Sequence, residues 1–84
     1  MEAARYYENE APGVGMAFVA AVHKTIAEIA DFPLAVPLIR NVRQKILRHF
    51  PYNIIYSVEP EMIVIVAVAH QRRRPNYWQS RIKK

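Results

Sequence analysis

The stretch that most constrains this chain is Met62-Ile63-Val64-Ile65-Val66-Ala67-Val68-Ala69, eight consecutive apolar residues running into His70. Eight residues cannot cross a bilayer as a helix, which takes ~20. Five of the eight are β-branched, and no polar residue alternates with them. The segment therefore predicts a strand buried on both faces. Such a strand needs a sheet around it, and the residues before it supply one. Glu59-Pro60-Glu61 is a turn with proline at a favourable second position. Before that turn, Tyr52 to Val58 is rich in β-branched and aromatic residues, so it predicts another strand after a reversal at Pro51. Further upstream, Val42, Ile46 and Phe50 share one side of an extended chain, with Arg43, Lys45 and His49 on the other. Leu47 interrupts that polar side, which points to a bulge near it.

The first half has a different period. Glu2 to Asn9 places Ala4 and Tyr7 on one helical face, with Glu2 in the first turn where the helix dipole favours an acid. A helix this short does not stand alone in water, so it must dock. Pro12-Gly13 breaks it, and a second helix is predicted from Val14 to Ala30. Phe18, Val22, Ile26 and Ile29 form its apolar stripe, which reads as core. Pro33 ends that helix by about Asp31. A short helix could follow Pro75, with Tyr77, Trp78, Arg81 and Ile82 within two turns. The pattern is α-α-β-β-β(-α): an α+β fold with a helical hairpin on one face of an antiparallel three-stranded meander. In that meander the apolar last strand falls at an edge, where exposed backbone invites pairing. Another strand, a second copy or a partner chain is expected against Met62–Ala69.

The 84 residues suit one domain, 1–84, with a small core. No cysteine is present, which excludes a disulfide scaffold and a Cys-ligated zinc site and is compatible with a cytoplasmic location. The N-terminus lacks the apolar core of a secretory leader, and no membrane association is expected. The net charge of +5 is unevenly placed. Residues 1–39 carry two basic and five acidic side chains, or −3; residues 40–84 carry ten and two, or +8. Such asymmetry fits a polyanion or an acidic partner, or else a solvated face of mixed use.

The densest polar segment is His70-Gln71-Arg72-Arg73-Arg74-Pro75-Asn76-Tyr77-Trp78-Gln79-Ser80-Arg81, which begins where the buried strand ends. Two of the three consecutive arginines Arg72, Arg73 and Arg74 could contact neighbouring phosphates, and Trp78 with Tyr77 could stack on bases. With Arg43, Lys45 and Arg48 they could line a basic groove over one sheet face. Alternatively, Trp78 and Ile82 seal the core end while the arginines solvate the loop. Cleavage of RNA through the 2′-hydroxyl needs a base, an acid and cations around the developing phosphorane. His70, His49 or Tyr77 could exchange protons, and Arg43, Lys45, Arg72, Arg73, Arg74 and Arg81 could stabilise charge. Neither paired carboxylates, a Gly-rich phosphate loop, a Ser-His-Asp set nor His-metal spacing is present, so no cofactor or metal is expected.

Arg43 through Val58, with Phe50-Pro51-Tyr52-Asn53-Ile54-Ile55-Tyr56 at its centre, resembles the RelE/ParE superfamily of bacterial toxins. Val66 through Trp78 and the helical stretch Tyr6 to Gly13 strengthen the resemblance, which covers nearly the whole chain. It implies the toxin half of a type II toxin–antitoxin pair, related to plasmid-stabilisation proteins and restrained by a cognate antitoxin that wraps it with a helix or an added strand. RelE-like members cleave mRNA on the ribosome; ParE-like members act on DNA gyrase and need no catalytic set. The expectation is a ribosome-dependent mRNA endonuclease that places His70, Arg72, Arg73 and Tyr77 nearest the chemistry. Arg43, Lys45, Arg48, Arg74, Trp78 and Arg81 would then hold the nucleic acid. The alternatives are a gyrase inhibitor and an inactive remnant that still binds its antitoxin. The family fold opens with a strand before the first helix, whereas this sequence starts inside that helix. Truncation, gene decay or a strand supplied by another chain, including a second copy in a homodimer, would each account for the departure.

Overall fold

The computed structural model describes residues 2–72. Helix α1 (Glu2–Glu10) and helix α2 (Val14–Asp31) form an antiparallel hairpin, followed by strands β1 (Arg43–Ile46), β2 (Tyr52–Val58) and β3 (Ile63–His70). The sheet order is β1-β2-β3, with both neighbouring pairs antiparallel, which is the α+β meander the sequence predicts. The helix suggested after Pro75 lies outside the described residues. So do Arg73, Arg74, Tyr77, Trp78 and Arg81.

The hairpin turns at Gly13, whose φ of 86° lies in the left-handed region that glycine adopts without steric cost. Along α2 the stripe behaves as its spacing requires: Phe18, Val22 and Ile29 are buried, with Ile26 packed against them. Thr25 is buried in the same stripe, and its hydroxyl donates to the Ala21 carbonyl at 2.8 Å, which removes the penalty of burying it. Phe32 closes the helix by donating its N–H to the Glu28 carbonyl at 3.0 Å, one residue before Pro33.

On the sheet, Tyr52, Ile54 and Tyr56 of β2 and Val68 of β3 turn toward the helices, joining Phe18, Val22, Ile29 and Leu47. The opposite face gathers Val42, Ile55, Ala67 and Ala69 into a smaller cluster. Three sequence expectations change here. The extended run through Phe50 stops at Ile46: residues 47–50 leave the strand, and His49 takes a φ of 71°. Ile46 is therefore 69% exposed, while Leu47 and Phe50 swing into the main core. No bulge occurs near Leu47, where β1 pairs with β2 in unbroken register; the shift lies between β2 and β3, with Val66 as the extra residue. Finally, β3 is not buried on both faces along its length. Ala67 and Ala69 are buried, but Val64 and Ile65 are 38% and 37% exposed and Met62 is 63% exposed. Among the described residues the hairpin sits over β2 and the His70 end of the sheet, and none covers the opening half of β3.

Candidate functional site

Two groups of clefts hold the chemistry-bearing side chains. The first lies at the C-terminal end of β3. His70 stands directly opposite Tyr52 in the β2–β3 register, and their rings meet edge to face with centroids 5.0 Å apart. Helix α1 brings Tyr6 and Tyr7 to the same place, and Pro51 and Arg72 complete a cleft of about 490 Å³. The cleft has a rigid floor. Tyr7 stacks on Phe18 at 5.4 Å and meets the edges of Phe50 and Tyr52 at 5.0 and 6.4 Å. The strand exit is fastened by the Gln71 N–H donating to the Pro51 carbonyl at 2.9 Å and by Gln71 Nε2 donating to Asn53 Oδ1 at 3.3 Å.

The protons in this cleft can be placed by their partners. The Arg72 backbone N–H donates to His70 Nδ1 at 3.0 Å, so Nδ1 is an acceptor and the neutral imidazole carries its hydrogen on Nε2. Desolvation among the aromatic rings raises the Tyr7 pKa above its ordinary value, and the neighbouring Tyr52 and Tyr6 raise it further. At neutral pH its phenol is therefore a hydrogen-bond donor rather than a base.

The second group lies between α2 and β1. Lys45 Nζ sits 3.8 Å from Glu28 Oε1. Lys45 and Arg48 line two adjoining clefts, one of about 420 Å³ with Lys24 and His49 and one of about 360 Å³ with Phe32 and Tyr56. Arg43, on the same strand, lines none of these clefts. One guanidinium nitrogen donates to the Val36 carbonyl at 2.5 Å, and its buried Nε has no partner among the described residues. That arginine fastens the α2–β1 linker to the sheet.

Of the groove expected from the sequence, Arg74, Tyr77, Trp78 and Arg81 lie outside the described residues. His70 and Arg72 share one cleft, Lys45 and Arg48 share others, and the two groups have no lining residue in common. Tyr6, Tyr7 and Tyr52 were not anticipated as neighbours of His70. The signal for Tyr52 was its place just after Pro51, where a β2–β3 hairpin sets it against the end of the last strand. For Tyr6 and Tyr7 it was the adjacent pair itself, since one helix face can bury only one of two neighbours. Among the described residues, no group of three or more His, Asp or Glu side chains could hold a metal ion.

A helical hairpin followed by a three-stranded antiparallel meander is consistent with the RelE/ParE superfamily of type II toxins. A family profile described as "ParE toxin of type II toxin-antitoxin system, parDE" matches residues 2–75, and the chain belongs to that family. No curated protein and no solved structure matches it significantly. Membership makes this the toxin component of a type II toxin–antitoxin system and implies a cognate antitoxin as partner.

Proposed function

We propose that this toxin acts by binding a protein target, DNA gyrase, in the manner of ParE-like members, and that it cuts no nucleic acid. The observation that supports this reading is that the described cations line different clefts. Phosphoryl-transfer chemistry needs positive groups converging on one phosphate. Among the described residues Arg43 is engaged by the Val36 carbonyl, Lys45 faces Glu28, and neither lines the cleft of His70 and Arg72. A binding surface has no such requirement, since cations spread over a face still steer and orient an acidic partner. The family match to ParE toxins supports the same choice.

A second reading rests on the other cleft. His70, Arg72 and three tyrosyl rings meet in one place, and Arg73 and Tyr77 follow within seven residues of His70. Those groups are the expected chemistry of a ribosome-dependent mRNA endonuclease. The two readings separate after induction in growing cells. Gyrase inhibition predicts growth arrest, loss of supercoiling by purified gyrase and mRNA that gives full-length primer-extension products. Codon-positioned cuts that vanish in Arg73→Ala and Tyr77→Phe, with normal supercoiling, would overturn it in favour of the nuclease. Unimpaired growth at full expression would remove both and leave a remnant that binds antitoxin alone.

A further inference from the structure

We infer that the groove between α2 and β1 seats an acidic, partly apolar segment of the cognate antitoxin. The two clefts there, of about 420 and 360 Å³, share Glu28, Lys45 and Arg48 and so form one continuous groove. Along α2 it runs from Ala17 through Lys24 and Glu28 to Phe32, roughly 20 Å, the span of about six extended residues. Helix α1 packs on a different flank of α2, where Gly15 closely approaches Ala4 and Glu8. Ala17 and Lys24 lie roughly 180° around the helix from Gly15.

Charge and apolar surface together select the occupant. Lys24, Lys45 and Arg48 line the groove against the acid Glu28, which stands 3.8 Å from Lys45. Ile46 and Phe32, 69% and 71% exposed, add apolar contact in the two clefts. A peptide with spaced carboxylates between apolar residues matches both properties. A nucleic acid matches less well, because Glu28 lines both clefts and an unbroken row of phosphates would have to pass it. A peptide can set a neutral residue at that point. Residues 73–84 carry five basic side chains and no acidic one, so charge disfavours this segment of the chain as the occupant. The antitoxin is the partner that family membership implies, and the inference does not depend on whether the toxin's target is gyrase or RNA.

Calorimetric titration of the chain with its purified cognate antitoxin tests it. Arg48→Glu should weaken the complex by about tenfold or more. Arg40→Glu, an equal change of charge at an exposed arginine that lines neither cleft, should weaken it by less than about threefold. Ala20→Trp fills the groove from an exposed position on α2 without altering charge, and it too should cost about tenfold or more while the far-ultraviolet circular dichroism stays unchanged. The wild-type chain provides a check that needs no variant: on adding antitoxin, the amide resonances of Ala20, Lys24 and Arg48 should shift. Unshifted resonances at these positions overturn the inference. So does wild-type affinity in both Arg48→Glu and Ala20→Trp, or an equal loss in Arg40→Glu and Arg48→Glu. Arg48→Glu that loses a single-stranded RNA oligonucleotide but keeps the antitoxin overturns it in favour of a nucleic-acid groove.

Discussion

Tyr56 ties three parts of the molecule together. Its ring is buried in the main core, and its hydroxyl donates to the Pro33 carbonyl at 2.9 Å, fixing the chain where α2 gives way to the linker. Tyr56→Phe leaves that carbonyl without its donor and should cost about 1–2 kcal/mol in denaturant unfolding. The pH dependence has a definite sign. Burial raises the Tyr56 pKa above the ordinary 10.0, against a smaller lowering by Arg43, and burial also raises that of Tyr7. Between the unfolded and folded pKa values the unfolded chain binds fewer protons, so stability is full below about pH 10 and falls as the pH climbs through the folded values. Tyr56→Phe should flatten that alkaline decline; an unchanged slope would mean that Tyr56 does not contribute to it. The sequence marked Tyr56 as a strand residue. Its link to Pro33, 23 positions earlier, arises only when α2 lies over the sheet.

The helical hairpin is held at its turn by a single carboxylate. Glu8 of α1 accepts hydrogen bonds from the Gly13 N–H at 3.0 and 3.1 Å and from the Gly15 N–H at 3.1 Å. It thereby satisfies free donors at the start of α2 and places a negative charge at the positive end of that helix dipole. Glu8→Ala should lower stability by about 1 kcal/mol, read as a drop in the thermal midpoint. Gly15 has a different role. An added Cβ would collide with the Ala4 carbonyl oxygen and lie 2.9 Å from Glu8 Cβ, so Gly15→Ala should force the helices apart and cost about 1–3 kcal/mol. If Gly15→Ala proves as stable as wild type, the close approach of α1 and α2 is wrong. Pro12-Gly13 announced the break between the helices, but Glu8 offered no local capping signal because it lies five residues before Gly13, on the other helix. In the same way Leu47 and Ile46 exchange roles because the chain leaves β1 after Ile46, a decision made by the tight return to Tyr52, whose carbonyl accepts the Leu47 N–H at 2.8 Å.

At the scale of the whole molecule, the charge division holds among the described residues. Residues 2–39 carry −3 and residues 40–72 carry +3, so an acidic partner experiences a directed field rather than a mean charge. Association with the cognate antitoxin should therefore be faster at low ionic strength, with most of the change in the on-rate. Stopped-flow mixing at about 0.05 and 0.5 M salt, where the screening length shortens severalfold, checks this. Equal on-rates would rule out charge steering. Among the described residues no helix is long and apolar enough to cross a membrane.

The sequence by itself determined the elements and their order. Period, proline and glycine act within a few residues, so α1, α2, the Tyr52–Val58 strand and the apolar strand after Pro60 were all legible locally, as was the family resemblance. It also named His70, Arg72, Lys45 and Arg48 as chemistry-bearing residues. Only the tertiary structure decided how these divide. Helix α2 lies over β2, Lys45 faces Glu28 across the α2–β1 cleft, and the hairpin register sets His70 against Tyr52 with α1 alongside. The same packing settled which half of β3 is covered. A run of eight apolar residues specifies a strand that gains by burial, but how much of it is buried depends on where the helices and neighbouring strands come to rest.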